Sequence, residues 1–347
     1  MNRSSFILGT RGSALARVQT TLVGEALRAV APQLVLEEKI ITTTGDAKQG
    51  LALHEPVAEG SGLFTRQLEE ALLAGEIDAA VHSLKDLPVV TPPGLKLAAI
   101  LPRANVADVV ITLEKEGWNK LASGSIVGTS SPRRLEWVRS QRPDLVVKPI
   151  RGNVPTRLRK LQRGQSQKLQ NLGSDPKIHR LAPDSAISGT DPFALNALFL
   201  ARAGLERLGF DLKIVNGCGK FLFEGGELFV TELKGLFPAP GQGAIAIEAR
   251  AEHHDSEFEK ALKKIHHEET ARCVTAERLL LRYLGGGCHM ALGALATIDP
   301  ATQQLHLRAT YVPFPSAKLR EGEATGTTPE EVALRVATQL GEKLAVV

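Results

Sequence analysis

Apolar positions in the first hundred residues switch repeatedly between two periods. Phe6-Ile7-Leu8 is a short strand-like run. After it Leu15, Val18, Leu22, Ala26, Leu27 and Val30 recur at helical spacing. Ser13 stands where a helix N-cap belongs. Residues 34–43 read as a second strand ended by Gly45-Asp46. Residues 64–74 read as a helix stopped by Gly75, and 77–81 as a third strand. Strands alternating with helices predict βαβ units and a largely parallel sheet.

The pattern restarts near residue 125. Ile126-Val127-Gly128-Thr129-Ser130-Ser131 echoes Ile7-Leu8-Gly9-Thr10-Arg11-Gly12-Ser13, with two apolar residues, Gly-Thr, and a serine opening a helix. Pro132 suits the first helical position. Two α/β lobes of similar build are expected, each presenting a helix N-terminus. Residues 165–192, rich in Gly, Ser and Asp-Pro, read as loop chemistry and predict an exposed insertion. A hairpin or second insertion is expected at about 216–229, where glycines bracket Phe221-Leu222-Phe223. From about 265, Thr270, Val274, Glu277 and Leu281 lie at helical spacing. Strands at 294–297 and 305–311, then a helix over 329–344 capped by Thr327 or Thr328, complete a compact third α/β domain.

Composition narrows this picture. A chain of 347 residues exceeds one ordinary core, so two or three domains are expected. Hydrophobic content of 43% with 23% charged residues describes a soluble globular protein. No apolar run is long enough to span a bilayer. The N-terminal residues lack the apolar stretch of a secretory signal, so a cytoplasmic location is expected, or a plastid if a transit peptide is removed. A net charge of +4 with 4% aromatics argues against a nucleic-acid partner. Cys218, Cys273 and Cys288 are too few and too widely spaced for a disulfide framework or a zinc ribbon. His266-His267-Glu268-Glu269 lacks metal-ligand spacing and reads as a polar helix start, so no metal is expected.

The chemistry concentrates at strand ends. In Val81-His82-Ser83-Leu84-Lys85-Asp86-Leu87-Pro88 an apolar run stops in a cation, a carboxylate and a proline, at the rim where α/β sheets keep ligand sites. Lys85 suits an anionic ligand, and Asp86 suits stabilising positive charge or moving protons. Arg11, Arg133, Arg134, Arg151 and Arg157 fall at predicted strand ends or helix starts, where guanidinium forks and helix N-termini both favour anions. Arg159, Lys160 and Arg163 read as a solvated helix end. Cys288 follows Gly285-Gly286-Gly287 on a loop open to reaction, whereas Cys273 reads as buried packing and Cys218 as a loop residue. Gln242, in the rigid crossing Pro238-Ala239-Pro240-Gly241-Gln242-Gly243, bonds either a ligand or backbone.

Taken together the chain resembles the porphobilinogen deaminase (hydroxymethylbilane synthase) family. The matching segments are Gly9-Thr10-Arg11 with Ser13 and Gln19, Thr43-Thr44-Gly45-Asp46, Gly62-Leu63-Phe64, the run from Val81 to Pro88 and Val127 to Arg134. Then follow Arg151-Gly152-Asn153-Val154 with Thr156-Arg157-Leu158, Ala203-Gly204-Leu205, Gly241-Gln242-Gly243-Ala244, Thr275-Ala276-Glu277-Arg278 and Gly286-Gly287-Cys288. They run in family order over nearly the whole chain.

The resemblance implies an α/β fold of two periplasmic-binding-protein-like (type 2) lobes with a cleft between them, plus a small third α/β domain. Expected bounds are 1–103 with 243–262, then 107–238, then 265–347. It implies stepwise condensation of four porphobilinogen units into hydroxymethylbilane with loss of ammonia. A dipyrromethane cofactor would be held covalently through Cys288, with Asp86 as catalytic carboxylate. Arg11, Ser13, Lys85, Thr129, Ser130, Arg133, Arg134, Arg151 and Arg157 would bind substrate or cofactor carboxylates, with Gln19, Asp46, Ser83 and Gln242 nearby. A monomer without nucleic-acid or membrane partners is expected.

Some positions depart from the family pattern. Ser61 stands where a lysine usually precedes Gly-Leu-Phe, Arg66 replaces another lysine, and Pro132 replaces an apolar residue. His289-Met290-Ala291 follows Cys288 where a polar residue, Val and Pro are usual. The rival reading is a non-catalytic two-lobed anion-binding or effector-sensing protein. It explains the arginines but needs no reactive cysteine in an added domain.

Overall fold

The computed structural model describes residues 5–42, 65–172, 195–252, 256–286 and 290–341. Asp46, Ser61, Cys288 and His289 lie outside them. Two compact units emerge, one formed by Met1–Val106 with Phe237–Val347, the other by Ala107–Leu236.

The first unit opens with β1 (Ser5–Thr10), α1 (Ala14–Val30), β2 (Val35–Ile40), α2 (Arg66–Leu73), β3 (Ala79–Ser83) and β4 (Leu95–Ile100). Ser13 caps α1, its hydroxyl accepting the Ala16 N–H at 3.3 Å. Helical spacing turns Ala16, Gln19, Thr20, Val23 and Leu27 inward, where Leu27 packs with Leu8, Ile247 and Phe258. A buried leucine of this kind contributes roughly 1.5–3 kcal/mol. At Gly9 a Cβ would lie 2.3 Å from Ile77 Cδ1, so any larger residue there would force the Ile77 side chain, just before β3, to shift.

The chain then builds the second unit. Its elements are β5 (Asp108–Thr112), β6 (Ile126–Gly128), α3 (Pro132–Gln141), β7 (Val146–Lys148), α4 (Val154–Leu172), β8 (Ala197–Ala201), α5 (Arg202–Arg207), β9 (Cys218–Phe223) and β10 (Gly226–Glu232). Its sheet runs β7-β6-β8-β5-β10-β9. The first three strands are parallel and the other pairings antiparallel.

Returning to the first unit, β11 (Ile245–Arg250) enters between β3 and β4 and runs antiparallel to both, giving the order β2-β1-β3-β11-β4. Then come α6 (Glu257–Ile265), α7 (Glu268–Tyr283), β12 (Ala291–Ile298), β13 (Leu305–Val312), β14 (Arg320–Gly326) and α8 (Pro329–Gln339). The antiparallel β12-β13-β14 sheet shares a core with α7 and α8 through Leu280, Leu292, Leu307, Val332 and Val336. Two large mixed sheets and a third small one constitute the α/β architecture expected.

Three local expectations change, and at 216–229 the hairpin alternative holds. The sheets are mixed rather than largely parallel, because β11 and β10 arrive from distant sequence that local alternation does not register. Gly164-Gln165-Ser166-Gln167, read as loop, lies inside α4, which continues to Leu172. One glycine costs a helix only about 1 kcal/mol, and the Gln, Lys and Leu around it are good helix formers. The stretch near 216–229 is a hairpin whose second strand joins β5 and so belongs to the sheet. β14 was not expected, since Arg-Glu-Gly-Glu-Ala-Thr-Gly offers almost no apolar signal on an edge strand. His267 does open a helix, its Nδ1 accepting the Thr270 N–H at 3.2 Å, and Thr328 caps α8.

Candidate active site

In the first unit, β3 ends at Ser83 and the chain makes one 3-10 turn, Leu84–Asp86. Leu84 is buried against Ile100, Ala244, Ala246 and Val274, and its N–H donates to the Ala244 carbonyl at 3.1 Å. That anchor turns Asp86 outward. Its carboxylate is exposed and has no hydrogen-bond partner among the described residues. Lys85 is half-buried, and its Nζ donates to Gln242 Oε1 at 3.2 Å. Gln242 is fully buried and donates from Nε2 to the Val106 carbonyl at 2.8 Å, so it bonds backbone and Lys85 together. Gly243 beside it has φ +86°, and a Cβ there would lie 2.6 Å from the Ala104 carbonyl oxygen.

Gln19 and Ser83 meet each other, with Gln19 Nε2 donating to the Ser83 hydroxyl at 2.9 Å. This ties α1 to the strand that ends in the Asp86 turn. Arg11 and Ser13 are half-buried at the N-terminal end of α1.

The second unit presents its own set. Thr129 is buried, and its hydroxyl accepts the Ser131 N–H at 3.2 Å. Ser130 donates its hydroxyl to the Ile150 carbonyl at 2.9 Å and accepts the Ile150 N–H at 3.0 Å, locking the ends of β6 and β7 together. Arg151 is exposed, and half-buried Arg157 donates from Nε to the Gly152 carbonyl at 2.7 Å. Asn153 caps α4, accepting the Thr156 N–H at 3.0 Å.

Arg133 and Arg134 are 6% exposed and turn to Asp108. Arg133 Nη1 lies 2.6 Å from Oδ2 and Arg134 Nη2 2.5 Å from Oδ1, while Arg134 Nη1 also donates to the Phe199 carbonyl at 3.1 Å. Burial lowers the Arg133 pKa from its ordinary value, the Asp108 carboxylate opposes that fall, and the neighbouring Arg134 charge adds to it. Two guanidiniums around one carboxylate leave this buried cluster with net positive charge. Arg134→Ala strands a buried carboxylate with one partner fewer, and should cost about 3–5 kcal/mol, measured by urea unfolding of the purified protein.

Sequence reasoning assigned no role to Arg103, Asp108, Glu277 or Arg278. Arg103 forks onto the fully buried Glu277 at 2.6 and 2.9 Å. Glu277 also accepts the N–H groups of Gly241 and Ala296 at 2.8 and 2.9 Å. Every oxygen of that buried acid is therefore bonded, and α7, β12 and the loop carrying Gln242 are pinned together. The available signal was a Glu-Arg pair within the largely apolar stretch Val274–Leu281, since buried charges occur only when paired.

Of the described cysteines, Cys273 is buried in α7, and burial, with the nearby Glu277 charge adding, pushes its thiol up to about 11. Cys218 is exposed on β9. Iodoacetamide at pH 8 should therefore label Cys218 well before Cys273, as read by peptide mass mapping. No helix of the described residues is long and apolar enough to cross a membrane.

Residues 6–258 match the family model described as porphobilinogen deaminase, dipyromethane cofactor binding domain. Residues 271–345 match porphobilinogen deaminase, C-terminal domain. The porphobilinogen deaminase of Geobacillus sp. is 36% identical over 337 residues, covering 97% of this chain and 94% of that protein. That of Desulforudis audaxviator is 37% identical over 344 residues, covering 99% and 94%. That of Roseiflexus sp. is 40% identical over 299 residues, covering 86% and 83%. Among solved structures, the Bordetella pertussis BvgS periplasmic VFT2 domain covers 77% of this chain and 91% of its own at 12% identity, with a TM-score of 0.37, too low to bear on function. With both family models matched in chain order and relatives aligned along almost its whole length, the chain belongs to the porphobilinogen deaminase family.

Proposed function

We propose that Asp86 is the catalytic carboxylate of this chain and Cys288 the attachment point of its dipyrromethane. The activity itself follows from the family: a transferase that condenses porphobilinogen units into hydroxymethylbilane and releases ammonia. The observation that carries the residue assignment is the exposed Asp86 carboxylate, held beside Lys85 on a turn anchored by buried Leu84 and committed to no other group among the described residues.

The donor set suits a polycarboxylate such as dipyrromethane, because strand ends and helix starts in each unit carry cations. Arg11, Ser13 and Lys85 in the first unit, and Arg151 and Arg157 in the second, are assigned to substrate and cofactor carboxylates. Ser130 and Thr129 serve by shaping the loops that carry those cations. The Arg133–Arg134–Asp108 cluster adds a fixed positive field from below the surface. When bound, dipyrromethane supplies the primer end to which the first pyrrole is joined.

Loss of ammonia from porphobilinogen breaks a C–N bond and leaves a cationic azafulvene. Asp86, negatively charged and oriented in advance, stabilises that cation. As the C–C bond forms, the attacked ring position gives up a proton, and the same carboxylate is suited to accept it. Lys85 donates to Gln242, and the Asp86 carboxylate, with no hydrogen-bond partner among the described residues, keeps its charge for the substrate.

We also assign residues 1–103 with 243–262, 107–238 and 265–347 to three domains, and propose a cytoplasmic monomer. The test is turnover: purified protein supplied with porphobilinogen should release ammonia in step with bilane formation. Binding of porphobilinogen by cofactor-loaded protein without ammonia release would favour the non-catalytic anion-binding reading. Arg11→Ala should lose roughly 2–5 kcal/mol of carboxylate binding. Native mass spectrometry should then show enzyme carrying one, two or three added pyrroles in abnormal proportion.

A further inference from the structure

The turn that presents Asp86 is followed by backbone that no strand pairs. The carbonyls of Leu87, Pro88 and Val89 lie in irregular chain, and proline removes one backbone N–H donor from it. A single side chain gathers these carbonyls. Arg278, on α7, is 8% exposed. Its Nη1 donates to the Leu87 carbonyl at 3.2 Å and reaches the Leu84 carbonyl at 3.5 Å. Its Nη2 donates to the Pro88 carbonyl at 2.7 Å and the Val89 carbonyl at 3.2 Å. One guanidinium thus spans both sides of Asp86. Only a planar fork with several fixed donors bridges carbonyls that way, and an ammonium is a point charge that would reach fewer of them.

Arg278 lies in the C-terminal half of α7, the half that precedes Cys288 in the sequence. The helix runs to Tyr283, and the Gly286 N–H closes it back onto the Leu281 carbonyl at 2.8 Å. Cys288 follows two residues later. The neighbour of Arg278, Glu277, is locked to Arg103, Gly241 and Ala296, which fixes the rotation of the helix about its axis. A rigid element therefore holds the acid's backbone through Arg278 and ends at Tyr283, five residues before the proposed anchoring cysteine in the sequence.

We propose that Arg278 is a positioning residue for the condensation, setting Asp86 by clamping the Leu84–Val89 backbone to α7. The inference rests on the assignment of Asp86 as catalytic carboxylate. A merely structural arginine would, when replaced, lower stability and leave per-molecule turnover of the folded enzyme intact. A positioning arginine acts on kcat, because misplacing a catalytic group by about 1 Å can cost on the order of 100-fold.

Arg278→Lys and Arg278→Met are to be purified as cofactor-loaded holoenzymes, checked by intact mass, and compared with Arg272→Ala. Arg272 lies on the same helix but donates to the Gln303 and Thr327 carbonyls. In Arg278→Lys, kcat should fall roughly 10- to 100-fold with KM changed by no more than about threefold, and Arg278→Met should lose more. Hydrogen exchange at residues 85–89 should quicken in both variants, while Arg272→Ala stays like the unmutated enzyme. Unchanged kcat in folded, loaded Arg278→Lys would overturn the inference, as would a lower kcat with residues 85–89 exchanging at the original rate. In the unmutated holoenzyme the Leu87 amide, which donates to the Leu84 carbonyl at 3.1 Å inside the clamped turn, should exchange slowly, and an open-loop rate there would overturn the clamp even if neither variant folds. Turnover by Asp86→Asn would instead remove the assignment of Asp86, which separates the two failures.

Discussion

Asp86→Asn should fold, carry its cofactor, and lose turnover by at least roughly 100- to 1,000-fold, the range seen when one preorganised electrostatic group is removed. The asparagine fills the same space on the same turn. Leu84 stays buried, and Lys85 stays bonded to Gln242, so neither stability nor carboxylate binding should change much. What disappears is the negative charge opposite the azafulvene and the base that takes up the proton. Asp86→Glu keeps the charge but displaces it by one methylene, so a small residual rate is expected. The measurement is ammonia release per loaded enzyme, with intact mass confirming loading. Full activity in loaded Asp86→Asn would remove Asp86 from the chemistry and leave it a solvated turn residue.

Much of this site was legible because its signals are local. The hydrophobic run that breaks off into Lys85-Asp86 and the serine that caps α1 each depend on residues a few positions apart. Cys273 was readable as buried because it falls on the apolar face of a periodic helix. The sharper details depend on contacts across long stretches of chain, and local patterns carry no trace of them. Arg103 reaches Glu277 across 174 residues, and Arg278 reaches Pro88 across 190. Arg133 and Arg134 stand at a helix start, which from sequence suggests exposed anion binding. Their turn toward Asp108 is set by the pairing of β5 with β8, which no local period encodes. The sequence leaves Gln242 open between ligand and backbone, because both of its side-chain bonds depend on where Lys85 and Val106 arrive in space. Sequence reading thus located the charged groups and left open which of them are spent on one another.

The cysteines offer the second large effect. Protein made in a host that produces porphobilinogen should exceed the mass of its sequence by two pyrrole units. Cys288→Ser should bring the mass back to the bare chain and abolish turnover. A serine hydroxyl stays protonated at neutral pH and is a far weaker nucleophile than a thiol with even a small thiolate fraction. Cys273 is excluded as the attachment point on physical grounds. It is buried in α7, and desolvation raises its thiol to about 11, so very little thiolate forms there. Cys218 is exposed but sits on β9, its backbone paired with Thr231 on β10. Cys288 follows Gly285 and Gly286, whose φ values of +97° and +56° let the chain leave α7 in a direction other residues resist. The added mass should therefore survive in Cys218→Ser and Cys273→Ser, and those proteins should still give the pyrrole colour with Ehrlich's reagent. Active enzyme with the bare sequence mass would refute covalent attachment altogether. Loss of the added mass in Cys218→Ser alone would move the anchor to the second unit, and with it the reading of α7 as the link between acid and cofactor would fall.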